Sequence, residues 1–139
     1  MSFLLDTNVI SEIRRKRDPT VQRWASAVPD SALYLSVLTV GEIRKGIERL
    51  RPRDPDQADV FTAWLTELGA RFADRIIPID IEIAHQWGRL NAASPRNTVD
   101  SLIAATALVH DLTVVTRNTP DFEGCGLRLL NPWETPPES

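Results

Sequence analysis

The order of short apolar runs and longer helical stripes predicts an α/β domain built on a parallel sheet of about five short strands. Three observations carry this. Strand-like apolar runs alternate with segments whose apolar residues recur at helical spacing, which is the pattern of a parallel sheet covered on both faces. The chain has 139 residues, the size of one domain with an ordinary core. Acidic residues stand where strand-like runs end and helical ones begin. In an open parallel sheet such places gather along the carboxyl edge of the strands, where ligands bind.

Ser2–Leu5 reads as a short buried strand, and Asp6-Thr7-Asn8 as the turn leaving it. Val9, Ile10 and Ile13 form a helical face that ends by Arg17-Asp18-Pro19. Val21, Trp24, Ala25 and Val28 form a second, ended by Pro29. Leu33-Tyr34-Leu35 is the second strand. Val40, Ile43, Ile47 and Leu50 predict a helix from about Val37 to Arg51, broken by Pro52 and Pro55. Val60, Phe61, Trp64, Leu65, Leu68 and Phe72 make an amphipathic helix. Ile76–Ile79 is strand-like, and Pro78, which lacks an amide hydrogen, assigns it to a sheet edge. Ile81, Ala84, Trp87, Gly88 and Leu90 predict a helix ending near Ser94-Pro95, and the Ala- and Leu-rich run Val99–His110 predicts another. Leu112–Thr116 is a buried strand and Leu127–Leu130 a last short one. No linker divides the chain, so residues 1–134 are expected to form one domain, and 135–139 a disordered tail.

Composition removes several function classes. The single cysteine, Cys125, allows neither an internal disulfide nor a Cys-rich zinc site. Two histidines, His85 and His110, argue against a His-based zinc site or a two-His acid/base pair. No apolar stretch approaches the ~20 residues that span a bilayer, and no signal-peptide pattern opens the chain, so a cytoplasmic location is expected. Net charge is −3, but it is unevenly spread. Residues 1–53 hold 10 of the 16 Lys and Arg and 6 of the 19 Asp and Glu, a net of +4, against −7 for the remainder. Arg14-Arg15-Lys16-Arg17 follows Asp6, and Arg44, Lys45, Arg49, Arg51 and Arg53 follow Glu42. A basic rim beside an acidic pocket suits a polyanion whose phosphate meets metal.

Asp6, Glu42, Asp100, Asn118 and Asp121 are the candidate site residues. Crowded carboxylates repel, and the repulsion is relieved by a proton or a cation. Asp and Glu oxygens suit Mg²⁺, which keeps several of its own waters. Each residue also has a plain structural reading. Glu42 is a helix cap if Thr39 starts its helix, and is free to face a pocket if Ser36 does. Asp100 complements a helix dipole, Asp6 makes an Asx turn, and Asp121 shapes a loop. Glu12, one helical turn after Asn8, lies within reach of the same end. Trp24, Trp64, Trp87 and Trp133 are read as core or interface residues.

Four segments, in order over almost the whole chain, resemble the motifs of PIN-domain nucleases: Leu4-Leu5-Asp6-Thr7-Asn8-Val9, Thr39-Val40-Gly41-Glu42-Ile43, Asp100-Ser101-Leu102-Ile103-Ala104-Ala105-Thr106-Ala107, and Val115-Thr116-Arg117-Asn118-Thr119-Pro120-Asp121-Phe122. The ending Asn131-Pro132-Trp133 and the length are similar to the VapC/FitB-like branch, toxins of VapBC toxin–antitoxin pairs. The resemblance implies a three-layer α/β/α fold, Mg²⁺- or Mn²⁺-dependent ribonuclease activity, a homodimer and a VapB-type antitoxin, with DNA bound only through that antitoxin. It implies Asp6, Asp100 and Glu42 as metal ligands, with Asn118 and Asp121 at the catalytic site. Asn118 stands where the family more often carries an acid, so one negative charge is missing. Thr7, Asn8 and Thr116 are expected to hold the carboxylates by hydrogen bonds. Arg14, Arg15, Lys16 and Arg117 are expected on the RNA.

Two rival functions are weighed. A haloacid-dehalogenase-type phosphatase also carries an Asp after its first strand, but needs a second acid two residues later, and that position is Asn8. A PIN-like module that binds RNA or a partner without cutting is favoured by Asn118 alone.

Overall fold

Leu4 is buried on the opposite side of its strand from Phe3 and Leu5, and this alternation sorts the molecule into two cores. The computed structural model describes residues 1–134, and the expectation of a tail at 135–139 lies outside the described residues. The strands are β1 (Phe3–Leu5), β2 (Leu33–Ser36), β3 (Ile76–Ile77), β4 (Thr113–Val115) and β5 (Leu129–Leu130). The helices are α1 (Thr7–Arg15), α2 (Pro19–Ala27), α3 (Val37–Leu50), α4 (Pro55–Arg71), α5 (Ile81–Ala93) and α6 (Thr98–His110). Phe3, Leu5, Leu33, Leu35 and Val115 pack with Val9, Ile43, Ile47, Leu65 and Phe72 of α1, α3, α4 and its end. Leu4, Ile77 and Val114 pack on the other face with Ile83 of α5 and Ile103, Ala104 and Ala107 of α6. The fold is therefore a three-layer α/β/α sandwich.

All strand pairs are parallel, in the order β3-β2-β1-β4-β5. The chain winds outward from β1 through β2 to β3, then returns to the other side of β1 with β4. The reversal opens a crevice between the carboxyl ends of β1 and β4, the switch point where open α/β sheets bind ligands. β3 is an edge strand, as Pro78 required.

Two helix starts lie earlier than the apolar stripes suggested. Pro19 and Pro55 end the preceding helical segments and also begin α2 and α4. Proline is tolerated in the first turn, where its missing amide hydrogen would have no partner. Asp18 caps α2 through the Thr20 and Val21 amides, and Asp54 caps α4 through the Gln57 amide. Apolar spacing reports only the buried face and so misses a polar first turn. Among the described residues no helix is long and apolar enough to cross a membrane.

Candidate active site

Asp6 is fixed by the sheet itself. Its amide donates to the Val115 carbonyl at 2.9 Å, continuing the β1–β4 ladder by one rung past β1. Its carboxylate Oδ2 accepts from the Thr116 hydroxyl at 2.8 Å, and Oδ1 from the Thr7 amide at 2.9 Å. Asn8 Nδ2 lies 3.4 Å from the same Oδ2, while Asn8 Oδ1 accepts from the Arg117 amide at 3.2 Å. The Thr116 hydroxyl in turn accepts from the Asn118 amide at 3.0 Å. Residues more than 100 positions apart thus join the β1 and β4 ends into one polar network.

Glu42 reaches this network from α3. Ser36, not Thr39, caps that helix, accepting from the Leu38 amide. Glu42 is therefore released from any capping duty, and its Oε1 accepts from the Thr7 hydroxyl at 3.2 Å. Thr39 has no role in capping, and its hydroxyl is buried without a partner. Asp100 stands in the first turn of α6, which is capped by Asn97 through the Val99 and Asp100 amides. Asp121 lies on a 3-10 turn (Thr119–Phe122) anchored by buried Phe122.

Asp6, Glu42, Asp100, Asn118 and Asp121 line one open pocket of about 500 Å³, together with Thr7, Asn8, Arg15 and Arg117. Asp100 titrates at about 6, pushed up first by burial and then by the charges of Asp6, Asp121 and Glu42. That is the signature of acids sharing a site with too little compensating charge. Among the described residues, no three His, Cys, Asp or Glu side chains stand close enough together to enclose an ion. The donor set nonetheless fits a hard, hydrated cation: it is made of oxygens, and Mg²⁺ needs only one or two carboxylates because it keeps several waters.

The basic residues divide. Arg15 and Arg117 line the acidic pocket, and Arg117 stacks over Trp133, 4.9 Å from the ring centroid. Arg14 turns instead into a neighbouring cavity, over Phe61 and Trp64. Lys16 takes a left-handed backbone (φ 57°) at the end of α1 and lines a third cavity beside Arg71 and Phe72. The basic residues after Glu42 do not form the expected rim. Arg44 and Lys45 follow Glu42 within one turn of α3 but are exposed and do not line the pocket, while Arg49, Arg51 and Arg53 lie farther along or beyond the helix. Arg51 is occupied by Glu48 and Asp59.

Several contributing residues were not assigned from sequence. Ser11, Asn97 and Trp133 line the pocket. Trp133 is half-buried at its rim and so is not simply a core residue. Glu12 lines it too, but its carboxylate accepts from the Arg17 and Asp18 amides at 2.8 and 3.0 Å, holding the α1–α2 turn. Arg96 donates to the carbonyls of Asp121 and Glu123, at 3.2 and 2.5 Å, and ties the turn bearing Asp121 to the loop before α6. The spacing of Asn8 and Glu12 hinted at Glu12. No local pattern marks Arg96, whose partners lie 25 and 27 residues away.

Fold and pocket together define an open parallel α/β domain with an oxygen-donor acid site at its switch point. A family model for the PIN domain matches residues 3–123, and the chain belongs to that family. It is 41% identical over 139 residues to plasmid stability protein StbB of Pseudomonas syringae pv. tomato, covering 95% of this chain and 99% of the relative. It is 35% identical over 138 residues to VapC ribonuclease Y4jK of Sinorhizobium fredii, covering 95% and 98%. The crystal structure of FitAcB from Neisseria gonorrhoeae aligns with a TM-score of 0.86 at 34% identity, over 96% of this chain and 99% of that one. A toxin–antitoxin complex from Klebsiella pneumoniae aligns with a TM-score of 0.71 at 27% identity, over 96% and 100%.

Proposed function

We propose that this protein is the ribonuclease toxin of a VapBC-type toxin–antitoxin pair, an endonuclease that hydrolyses RNA phosphodiester bonds with the help of Mg²⁺ or Mn²⁺. The observation that carries this reading is the set of acids around the β1–β4 switch point, with Asp100 driven to about 6 by burial and its acidic neighbours. The relatives named as VapC ribonuclease and the solved toxin–antitoxin complex support it.

Asp6 and Asp100 are the direct ligands in this reading, with Glu42 a ligand or the group that orients the attacking water. When bound, a divalent ion makes a water nucleophilic at neutral pH and offsets charge on the phosphoryl oxygens. The chain supplies the remainder. The Thr116 hydroxyl and the Thr7 amide hold Asp6 in one orientation. The Thr7 hydroxyl aims Glu42, whose carboxylate can take a proton from water. Asp100, pushed up to about 6 by burial and its acidic neighbours, would lose its proton more readily with a cation beside it. Arg15 and Arg117 hold the substrate's phosphates across the pocket mouth. Asn118 supplies an oxygen without charge, and Asp121 compensates at the rim.

An antitoxin segment that lays an Arg or Lys near Asp6 and Asp100 would block metal and phosphate together. A homodimer, DNA contact only through the antitoxin, and a cytoplasmic location complete the proposal. A second reading, a module that binds RNA or a partner but cuts weakly, is favoured by Asn118 and by the spread of the acids, no three of which enclose an ion among the described residues. The test is cleavage of RNA by wild type and Asp100→Asn, with Mg²⁺, with Mn²⁺ and with chelator. Metal-dependent cleavage lost in the variant supports the nuclease. RNA binding without cleavage in either metal leaves the binding module.

A further inference from the structure

Arg117 is exposed and lines the acidic pocket together with Asp6, Asp100 and Asp121. A mobile guanidinium beside several carboxylates should fold onto one of them, because the two-pronged Arg–carboxylate pair is a strong contact. Arg117 does not. The ion pairs among the described residues engage Arg51, Arg71, Arg75 and Arg128. Even Glu134, next to Trp133, sets its carboxylate 3.5 Å from Asn131 Nδ2 instead.

What holds Arg117 back is the segment that follows β5. The Thr116 amide donates to the Leu130 carbonyl at 3.0 Å, so Arg117 and Asn131 leave the sheet side by side. The Arg117 amide donates to Asn8 Oδ1 at 3.2 Å, and its carbonyl accepts from Asn131 Nδ2 at 3.4 Å. Asn131 Oδ1 in turn accepts from the Trp133 amide at 2.9 Å. Pro132 between them is buried, and Trp133 packs against the core that contains Phe3 and Leu5. The indole ring is thereby presented to Arg117, whose guanidinium carbon lies 4.9 Å from the ring centroid. Backbone and side chain of one exposed arginine are both fixed.

We propose that Trp133 and Asn131 are positioning residues, which hold Arg117 off the carboxylates and at the pocket rim as a preset grip for a phosphate of RNA. The proposal rests on RNA as the ligand of this pocket, as in the reading above. Two needs conflict at such a site. The acids must stay uncompensated to attract a cation, and the phosphates need a positive group within reach. A free arginine would meet the second need and defeat the first. An aromatic face resolves the conflict, since it holds a guanidinium without neutralising it, and the in-plane N–H groups stay available to phosphate oxygens.

The experiment measures the affinity of the full chain for a labelled single-stranded RNA, with chelator present, over a series of salt concentrations. The proteins are wild type, Arg117→Ala, Trp133→Met, Trp133→Phe and the double variant Arg117→Ala with Trp133→Met. Each phosphate contact to a single strand adds about 0.7 to the slope of log K against log salt. Arg117→Ala should bind roughly fivefold more weakly and lose about one such contact. Trp133→Met should do the same although it removes no charge, which a residue that only packs would not do. The double variant should be no weaker than Arg117→Ala, because both changes act through one guanidinium. Trp133→Phe keeps a ring face and should retain most of the affinity. In cleavage with Mg²⁺ the same order should appear in KM, with kcat little changed. Asn131→Ala, alone and with Arg117→Ala, is read in the same way if Trp133→Met does not fold. An unchanged salt slope in Trp133→Met, losses that add in the double variant, or an Arg117→Ala protein that binds like wild type would each overturn the positioning role. Wild type that binds RNA in the expected pattern but cuts none in Mg²⁺ or Mn²⁺ supports the positioning role and overturns the nuclease reading. Wild type that neither binds nor cuts RNA overturns both.

Discussion

The two walls of the acidic pocket are built on opposite principles. On the sheet wall, Asp6 is 8% exposed and its carboxylate accepts from Thr7, Thr116 and Asn8. On the helical wall, the carboxylates of Asp100 and Asp121 accept no hydrogen bond from the described residues, and Asp100 is pushed up to about 6. One wall is compensated by fixed donors. The other is left repulsive, held in place by backbone contacts such as those of Arg96. Under the proposed metal-dependent reading this division is useful, because rigid donors set orientation while uncompensated charge supplies the attraction for a cation.

The largest expected effects come from breaking each wall in turn. Asp6→Asn and Asp100→Asn should each lower metal-dependent cleavage by at least about 100-fold, if both are ligands. Their stabilities should diverge. Asp6→Asn leaves the Thr116 hydroxyl and Thr7 amide with a poorer acceptor and should cost about 1–2 kcal/mol. Asp100→Asn removes repulsion, and after allowance for solvent screening should gain on the order of 1 kcal/mol without metal. Urea melts with chelator present read both. A large loss of stability in Asp100→Asn would mean that Asp100 serves α6 rather than the pocket.

Next in size is Thr116→Val, which removes the hydroxyl that donates to Asp6 and accepts from the Asn118 amide. Metal affinity should fall roughly 10–100-fold. Calorimetric titration with Mn²⁺ checks this, and an unchanged affinity would show that the compensated wall needs no such support.

The pH dependence tests the helical wall through Asp100. Asp100 titrates at about 6 in the folded protein against 3.8 as its ordinary value. Between those values the folded state binds the extra proton, so stability without metal should fall as pH rises through that window. Metal competes with the same proton, so metal affinity should rise as pH rises through about 6. Asp100→Asn should flatten both slopes. Melts and titrations from pH 4.5 to 7.5 measure them, and identical slopes in wild type and variant would exclude Asp100 as their source.

The smallest expected effect is from Arg96→Lys. One amine cannot hold both the Asp121 and Glu123 carbonyls in the geometry of a planar fork. Cleavage should drop several-fold, on the order of the 1 kcal/mol of a single hydrogen bond, with the fold retained. A variant as active as wild type would remove Arg96 from the positioning of Asp121.

Much of this was legible before any coordinates. The apolar runs became β1, β2 and β4, because a strand buried on both faces leaves a continuous apolar trace, and also the half-buried edge strand β5. The acids stood at element boundaries, and element boundaries of a parallel sheet meet at its carboxyl edge. The ambiguity of Glu42 was also framed correctly: the choice between Ser36 and Thr39 as cap decided it. Less legible were the arginines. Arg14 and Arg15 are adjacent in the chain, yet consecutive helical residues point about 100° apart, so one meets the aromatic cavity while the other also faces the acids. Trp64 and Trp133 read as core or interface residues because aromatic spacing reports burial of one side and is silent about the other.

By itself, then, the sequence determined the element order, the parallel sheet with helices on both faces, and the residue types of an oxygen-donor site. Those follow from local periodicity and from chemistry each residue carries alone. Only the tertiary structure decided that Thr116 meets Asp6 across 110 positions, that Asp100 is left uncompensated, and that Arg96 braces Asp121. These depend on which strand lies next to β1 and on how each helix is rotated against the sheet. Both are settled by burying two cores at once, a condition on the whole chain that no single segment expresses.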